Sequence, residues 1–328
     1  MQERQHITPL SEETLEEQLE KKVEPYLKNL VQTGKLHGTN YYELYPLEEP
    51  AGTVVISFGF TESCRKYHEF IYYLLEAGYQ CAILEHRGHG FSIREGKDPD
   101  VVHIRRFDQY VQDFHDFVQE IVLPQMCSGK KDRQREKLFL YAHSMGGCIG
   151  ARYLEEYPED FKKAILNAPM LGLKMGKCPA WAAALLCDIN IGLGRGGERI
   201  FLHGDYDPNE PYEGGDAGSE SRFAYYKKIR NATKEYQTSS ASYSWTREAV
   251  HAGWKACSQK EASKIKIPLL LFQAEQDTLV EPKAQEKFIQ NVLQGRLKRI
   301  PQARHEIYRA CNRILKPYLE EVFTFLDE

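Results

Sequence analysis

The hydrophobic positions of this chain fall into short apolar runs separated by longer stretches with helical spacing. The spacing of Phe70, Ile71, Leu74 and Leu75 is typical of one such helix, which would end at Gly78. Strands that alternate with helices predict an α/β fold, with a mostly parallel central sheet flanked by helices. The segments that predict strands are residues 54–58, 81–84, 138–141, 163–166, 269–272 and 297–300.

Two segments depart from this alternation. Residues 12–32 place leucines and valine on one helical face and residues 39–45 are extended, so we assign residues 1–50 to an N-terminal helix and a first strand. Between residues 170 and 263 the strand rhythm is lost, and an apolar helix at 181–186, a Gly-rich passage and an acidic loop at 205–220 follow one another. We predict that 170–263 is an inserted helical cap, and that 51–169 and 264–328 form the core.

Composition changes this picture little. The chain has 328 residues, 42% of them hydrophobic, and no apolar run approaches the roughly 18–20 residues that a membrane span needs. Its formal charge of −4 comes from mixed acidic and basic residues, which argues against nucleic acid as a partner. The N-terminus lacks the apolar core of a secretion signal, so we expect a cytoplasmic protein. The sequence leaves open its oligomeric state and whether the N-terminal helix contacts the inner membrane face.

The strongest chemical signal is the stretch from Leu138 to Gly147, in which a strand runs straight into Ser144 and then into a helix. A serine exposed on such a tight turn needs small residues two positions before and after it, and Ala142 and Gly146 meet that need. This pattern is typical of a nucleophile elbow. A hydroxyl is a weak nucleophile near neutral pH and requires a general base that a carboxylate orients.

The base and the acid are sought further along the chain, in the order serine, acid, histidine. Asp277 follows the strand at 269–272 and is our preferred acid, with Glu275 as the nearby competitor and Glu281 as a weaker one. His305 follows the last strand and is the only histidine after Asp277, so it is the predicted base.

Three further features are the oxyanion hole, two histidines that could bind a metal, and the cysteines. Backbone N–H groups of Met145, after the nucleophile, and of Phe60, after the strand at 54–58, are the predicted oxyanion donors. His86 and His89 lie three apart but no carboxylate or cysteine set joins them, so we predict no metal site. The eight cysteines form no CxxC pair and are interpreted as reduced thiols.

These residues resemble the bacterial lysophospholipases and monoacylglycerol lipases, serine aminopeptidase-like hydrolases of the α/β-hydrolase superfamily. The resemblance covers about residues 51–325 and rests on the stretches 58–62 and 85–92, the elbow, and the segments around Asp277 and His305. It implies a Ser144–His305–Asp277 triad, oxyanion donors at Phe60 and Met145, and no cofactor. The chain departs from the family pattern at three positions, which are Phe58 for His, Ala142 for Gly and Glu85 for Asp.

The expected function is hydrolysis of carboxylic esters, with lysophospholipids or monoacylglycerol-like monoesters as substrates, through an acyl-enzyme on Ser144. Two alternatives stay open. An aminopeptidase would hold a free amine with acidic cap residues, and a catalytically silent binding protein would keep the fold, with Phe58 as a sign of decay. The acidic candidates are Asp205, Asp207, Glu210 and Glu213.

Overall fold

A computed structural model describes residues 7–127, 137–201, 204–214 and 216–328, so the first six residues of the predicted N-terminal unit lie outside it. The strands of the described residues are β1 Gln32–Leu36, β2 Asn40–Tyr45, β3 Gly52–Ser57, β4 Tyr79–Leu84, β5 Val101–Val102, β6 Leu138–His143, β7 Lys163–Asn167, β8 Ser240–Ala241, β9 Leu269–Ala274 and β10 Gly295–Ile300. Eight of them form one sheet in the order β1-β2-β4-β3-β6-β7-β9-β10, and β5 and β8 pair separately.

The central sheet is mostly parallel, which confirms the predicted fold class. Strands β4, β3, β6, β7, β9 and β10 run parallel, and β2 pairs antiparallel with both of its neighbours, β1 and β4, near one edge. Parallel strands present their carboxyl ends at one sheet edge, where ligands bind in such folds. The loops after β3, β6, β9 and β10 therefore meet on the same side of the sheet.

Helices cover both faces of the sheet, and the residues of its central strands are therefore buried on both sides. Val55 belongs to one hydrophobic core and its neighbours Val54 and Ile56 to the other, as the alternation of side chains along a strand requires. The α-helices after β3 are His68–Glu76, Asp108–Asp116, Leu123–Met126, Ser144–Glu156, Ala180–Gly192, Glu220–Ala232, Tyr243–Ala256, Gln259–Ala262, Pro282–Gln290 and Asn312–Asp327, and a π-helix spans Phe117–Val122.

The N-terminal helical segment packs on the core of the protein. It runs through Leu15–Gln18, the π-helical Leu19–Val23 and Glu24–Leu30, and its apolar side chains at four-residue spacing are buried in the same core as the helix His68–Glu76. The strand β1 then begins at Gln32, a position that the helical pattern had included. The described apolar face of this segment is therefore covered by protein.

The connection between β7 and β9 contains the residues predicted as a cap. Its first helix, Ala180–Gly192, is longer than the six residues predicted, and the helices Glu220–Ala232 and Tyr243–Ala256 follow. The predicted acidic loop at 205–220 includes residue 215, which lies outside the described residues. The two-residue strand β8 pairs with β5, and this pairing joins the connection between β7 and β9 to the segment that follows β4. The boundaries 170 and 263 stay a prediction.

Candidate active site

Ser144 stands on a strained turn between β6 and the helix Ser144–Glu156. Its φ of 51° lies in the left-handed region, which a non-glycine residue occupies only when its surroundings enforce it. Gly146 is required at this turn, because a Cβ there would lie 2.1 Å from the carbonyl oxygen of Ser57. Ala142 is accommodated because Gly150 faces it, and a Cβ on Gly150 would come within 3.0 Å of the Ala142 methyl group.

The structure brings Ser144, His305 and Asp277 into one chain of hydrogen bonds. Nε2 of His305 lies 2.8 Å from Oγ of Ser144, and Nδ1 of His305 lies 2.7 Å from Oδ2 of Asp277. The other carboxylate oxygen of Asp277 accepts the backbone N–H groups of Leu279 and Val280 at 2.9 and 3.1 Å. These bonds fix the carboxylate, which in turn orients the imidazole toward the serine.

The two competing acids point elsewhere. Glu275 is exposed and accepts the backbone N–H of Gln302 at 2.8 Å. Glu281 precedes the helix Pro282–Gln290 as its N-cap residue and does not hydrogen-bond to His305. Of the three carboxylates considered from the sequence, Asp277 alone contacts the histidine.

Burial and hydrogen bonding set the charges of this site. Burial disfavours a charged His305, but the hydrogen bond and negative charge of Asp277 outweigh it, so the pKa of His305 is raised above 6.5. Burial likewise opposes ionisation of Asp277, yet its bonds to His305 and to backbone N–H groups lower its pKa below 3.8. The pair therefore favours the carboxylate beside a histidine that can take up a proton.

The loop after β3 carries the predicted oxyanion donor Phe60, which lines the same cavity as Ser144. Glu62 anchors this loop by accepting the N–H of Gly59 at 2.6 Å, and it also accepts bonds from Lys66 and Tyr67. Burial raises the pKa of Glu62, but the charge of Lys66 and further bonds lower it more strongly, so the carboxylate is ionised. Within the described residues the Phe60 N–H has no acceptor. Met145 lies in the first helical turn, where N–H groups lack helical partners.

Phe58 and Glu85, two of the three positions at which the chain departs from the family pattern, lie outside the cavity above Ser144. The Phe58 ring is fully buried and packs edge-on against His86, with ring centroids 4.8 Å apart. The Glu85 carboxylate accepts the N–H groups of Cys64 and Phe91 at 3.1 and 2.5 Å, and burial raises its pKa to about 8. Both residues shape loops and neither lines the cavity above Ser144.

A cavity of about 260 Å³ opens above Ser144 and His305. Its far wall is one face of the helix Glu220–Ala232, and of the four acidic residues proposed for an aminopeptidase only Glu210 lines it. The sequence did not lead us to predict this wall, although positions 223, 226, 227 and 230 share a helical face. The wall residues that it missed are Lys66, Asp216, Phe223, Tyr226, Lys227, Arg230, Glu306 and Arg309.

A second, apolar cavity of about 300 Å³ lies between the loop after β7 and the helix Tyr243–Ala256. Met170 and Leu171 line it, and the N–H of Met170 donates to the carbonyl oxygen of Ser144 at 2.8 Å, which places this cavity near the nucleophile. In the part of the chain that the structure describes, the side chains close enough to bind a metal are His37, Asp116 and Glu120, and none of them lines either cavity.

Fold and site together define a serine hydrolase of the α/β-hydrolase fold. Residues 48–311 match the family described as Serine aminopeptidase, S33, and the chain belongs to this family. It is 26% identical over 274 residues to a probable lysophospholipase L2 of Haemophilus influenzae, covering 84% of this chain and 83% of that protein. It is 29% identical over 248 residues to lysophospholipase L2 of Escherichia coli K12, covering 72% and 66%.

Solved structures share the fold. A soluble variant of monoglyceride lipase from Saccharomyces cerevisiae superimposes with a TM-score of 0.67 at 18% identity, over 90% of this chain and 94% of that one. Monoacylglycerol lipase from Paleococcus ferrophilus gives 0.66 at 21% identity, over 88% and 98%. The resemblance inferred from the motifs is thereby confirmed, and the chain is a carboxylic ester hydrolase that uses a serine.

Proposed function

We propose that this protein hydrolyses the ester of a single-chain lipid, a lysophospholipid or a monoacylglycerol, through an acyl-enzyme on Ser144. The observation that carries the proposal is the hydrogen-bond chain from Ser144 through His305 to Asp277 at the floor of a cavity. The relatives named as lysophospholipases support the substrate class.

The proposed reaction has two steps. Oγ of Ser144 attacks the ester carbonyl while Nε2 of His305 takes its proton, and the N–H groups of Phe60 and Met145 stabilise the oxyanion. The protonated His305 then donates its proton to the departing alcohol, which leaves an acyl-enzyme. Water, deprotonated by His305, attacks the acyl carbonyl; His305 then returns this proton to Oγ of Ser144 as the acyl–oxygen bond breaks, which releases the fatty acid and free Ser144.

The second cavity is the proposed site for the acyl chain. Its lining is mainly apolar, with Leu173, Val250 and Trp254 among its walls, and the N–H of Met170, another lining residue, donates to the carbonyl oxygen of Ser144. A bulky residue at Ala249 should fill this space. We expect Ala249→Trp to lower kcat/KM for long-chain 4-nitrophenyl esters far more than for the butyrate, and equal losses on both would contradict this placement.

We propose that the helix Ala180–Gly192 makes the contact with lipid surfaces. Trp181 and Ile189 are 64% and 54% exposed, and Leu185 and Leu193 lie on the same side, so an apolar face is open to solvent. Within the described residues, no helix is long and apolar enough to cross a membrane. We expect Trp181→Ser to weaken binding to phospholipid vesicles in a flotation assay. Leu293→Ser, at a separate exposed leucine, is the matched control.

The test of the function uses purified protein and its Ser144→Ala variant. A lysophospholipid, a monoacylglycerol and an aminoacyl anilide are offered in parallel, with fatty acid or aniline release as readout. We expect turnover of the lipid esters and a loss of up to about a million-fold in the variant, because the triad acts as a unit. Cleavage of the anilide alone would favour the aminopeptidase. No turnover and no labelling of Ser144 by a fluorophosphonate would favour the silent binding protein.

A further inference from the structure

The wall of the cavity opposite Ser144 carries two cations on one face of the helix Glu220–Ala232. Lys227 and Arg230 both line this cavity together with Ser144 and His305. Residues three apart on a helix are neighbours on its surface, so the two positive groups act on the same space. A ligand that extends from Ser144 across this cavity can therefore meet both.

These two side chains are bonded to main-chain carbonyls and not to carboxylates. Nζ of Lys227 donates to the carbonyl oxygen of Glu210 at 2.7 Å. Arg230 donates through Nε to the carbonyl oxygen of Tyr236 and through Nη2 to that of Thr238, both at 3.1 Å. Among the residues that the structure describes, neither cation forms an ion pair with a carboxylate. Each retains N–H donors beyond those bonds, because an ammonium has three and a guanidinium five.

The other charged residues that the structure describes in this cavity form no ion pair with Lys227 or Arg230. Lys66 is bonded to Glu62 and Glu306, and Arg309 to Glu306, so these four charges compensate one another. The carboxylates of Glu210 and Asp216 remain on the wall. A ligand with a phosphate and an ammonium group would find partners of both signs in this cavity.

We infer that Lys227 and Arg230 form a subsite for the phosphate of a lysophospholipid head group, an inference that rests on the proposed function. Cationic N–H donors form strong, short bonds with phosphate oxygens, and Arg presents them in a planar fork that suits this anion. A monoacylglycerol offers no charge to this subsite. The wall therefore selects the phosphate-bearing ester over the neutral one.

The matched control is the neighbouring Lys228. It lies on the same helix but faces away from the cavity, where Nζ donates to Glu16 and Glu20 at 2.5 and 2.7 Å. Replacing any of the three with glutamine removes one positive charge from one helix. A difference in substrate preference among these variants therefore depends on whether the lost charge faced the cavity.

The first measurement compares lysophosphatidylethanolamine with a monoacylglycerol of the same acyl chain, both below their critical micelle concentrations. We expect the ratio of their kcat/KM values to fall at least tenfold in Lys227→Gln and in Arg230→Gln, through KM, and to stay at the wild-type value in Lys228→Gln. Arg230→Lys should recover part of the ratio. Unchanged ratios in Lys227→Gln and Arg230→Gln would overturn the inference.

The second measurement needs no turnover. Calorimetric titration of the Ser144→Ala protein with glycerophosphoethanolamine and, separately, with inorganic phosphate tests whether a head group or any phosphate is bound. We expect binding of the head group that weakens at least tenfold when Lys227→Gln is added. If the head group binds in this way but the wild-type protein hydrolyses no lipid ester, the subsite is upheld and the proposed function is rejected. Absence of head-group binding, or binding that Lys227→Gln leaves unchanged, would overturn the subsite.

Discussion

Asp277→Asn is the sharpest test of the proposed triad. The asparagine can keep its carbonyl oxygen in place of Oδ1, where it would still accept the N–H groups of Leu279 and Val280. Its NH₂ group then faces Nδ1 of His305, 2.7 Å away in the present structure. Because an NH₂ group only donates, Nδ1 becomes the acceptor and the ring proton moves to Nε2. The nitrogen next to Ser144 can then no longer take the serine proton.

The expected loss follows from this wrong tautomer. The same substitution at the acid of a serine protease lowers kcat about 10⁴-fold, which corresponds to about 5.5 kcal/mol of transition-state stabilisation. We expect a loss of this order in kcat/KM for 4-nitrophenyl butyrate. Glu275→Gln is the matched control, since this carboxylate is bonded to the Gln302 N–H instead, and it should keep activity within about twofold. A loss below tenfold in Asp277→Asn, or an equal loss in Glu275→Gln, would refute the assignment.

Three further outcomes are expected. Gly146→Ala should lower kcat about 100-fold, because a Cβ 2.1 Å from the Ser57 carbonyl forces a shift of about 1 Å between elbow and oxyanion loop. The acid limb of kcat/KM should have its midpoint above pH 6.5, since the pKa of His305 is raised and only the neutral imidazole acts as base. Leu19→Ala should lower the free energy of unfolding in urea by about 2–5 kcal/mol, because this side chain is buried in the core.

Each outcome has its own control. Gly192→Ala adds a methyl group where no atom lies within 4 Å, so its activity should match the wild type, and a comparable loss there would contradict the steric argument. A midpoint at or below pH 6.5 would show that the net effect on His305 has the opposite sign. Leu293→Ala removes an exposed side chain and should change stability by less than about 0.5 kcal/mol. A loss below about 1 kcal/mol for Leu19→Ala would mean that the N-terminal segment is loosely attached.

Much of the fold could be read from the sequence because its signals are local. The six predicted strand segments correspond to the parallel strands β3, β4, β6, β7, β9 and β10. The first five are buried along their length, as strands covered on both faces are, whereas β10 lies at the edge of the sheet and is mostly exposed. The strand β1 was missed because its residues are largely polar and exposed and gave no apolar signal. The pairing of β5 with β8 was missed as well, because two-residue strands carry no pattern and their partners are far apart in sequence.

The sequence by itself determined which residues could act as nucleophile, acid and base, because the turn around Ser144 demands small neighbours and the fold imposes a chain order. Only the tertiary structure decided that His305 bonds to Asp277 and not to Glu275. The two carboxylates are two residues apart in one loop, and the path of that loop sets which of them faces His305. It alone decided that the N-terminal helix is covered by the core while the helix Ala180–Gly192 is exposed. Both helices present an apolar face in sequence, and periodicity records such a face without recording what lies against it.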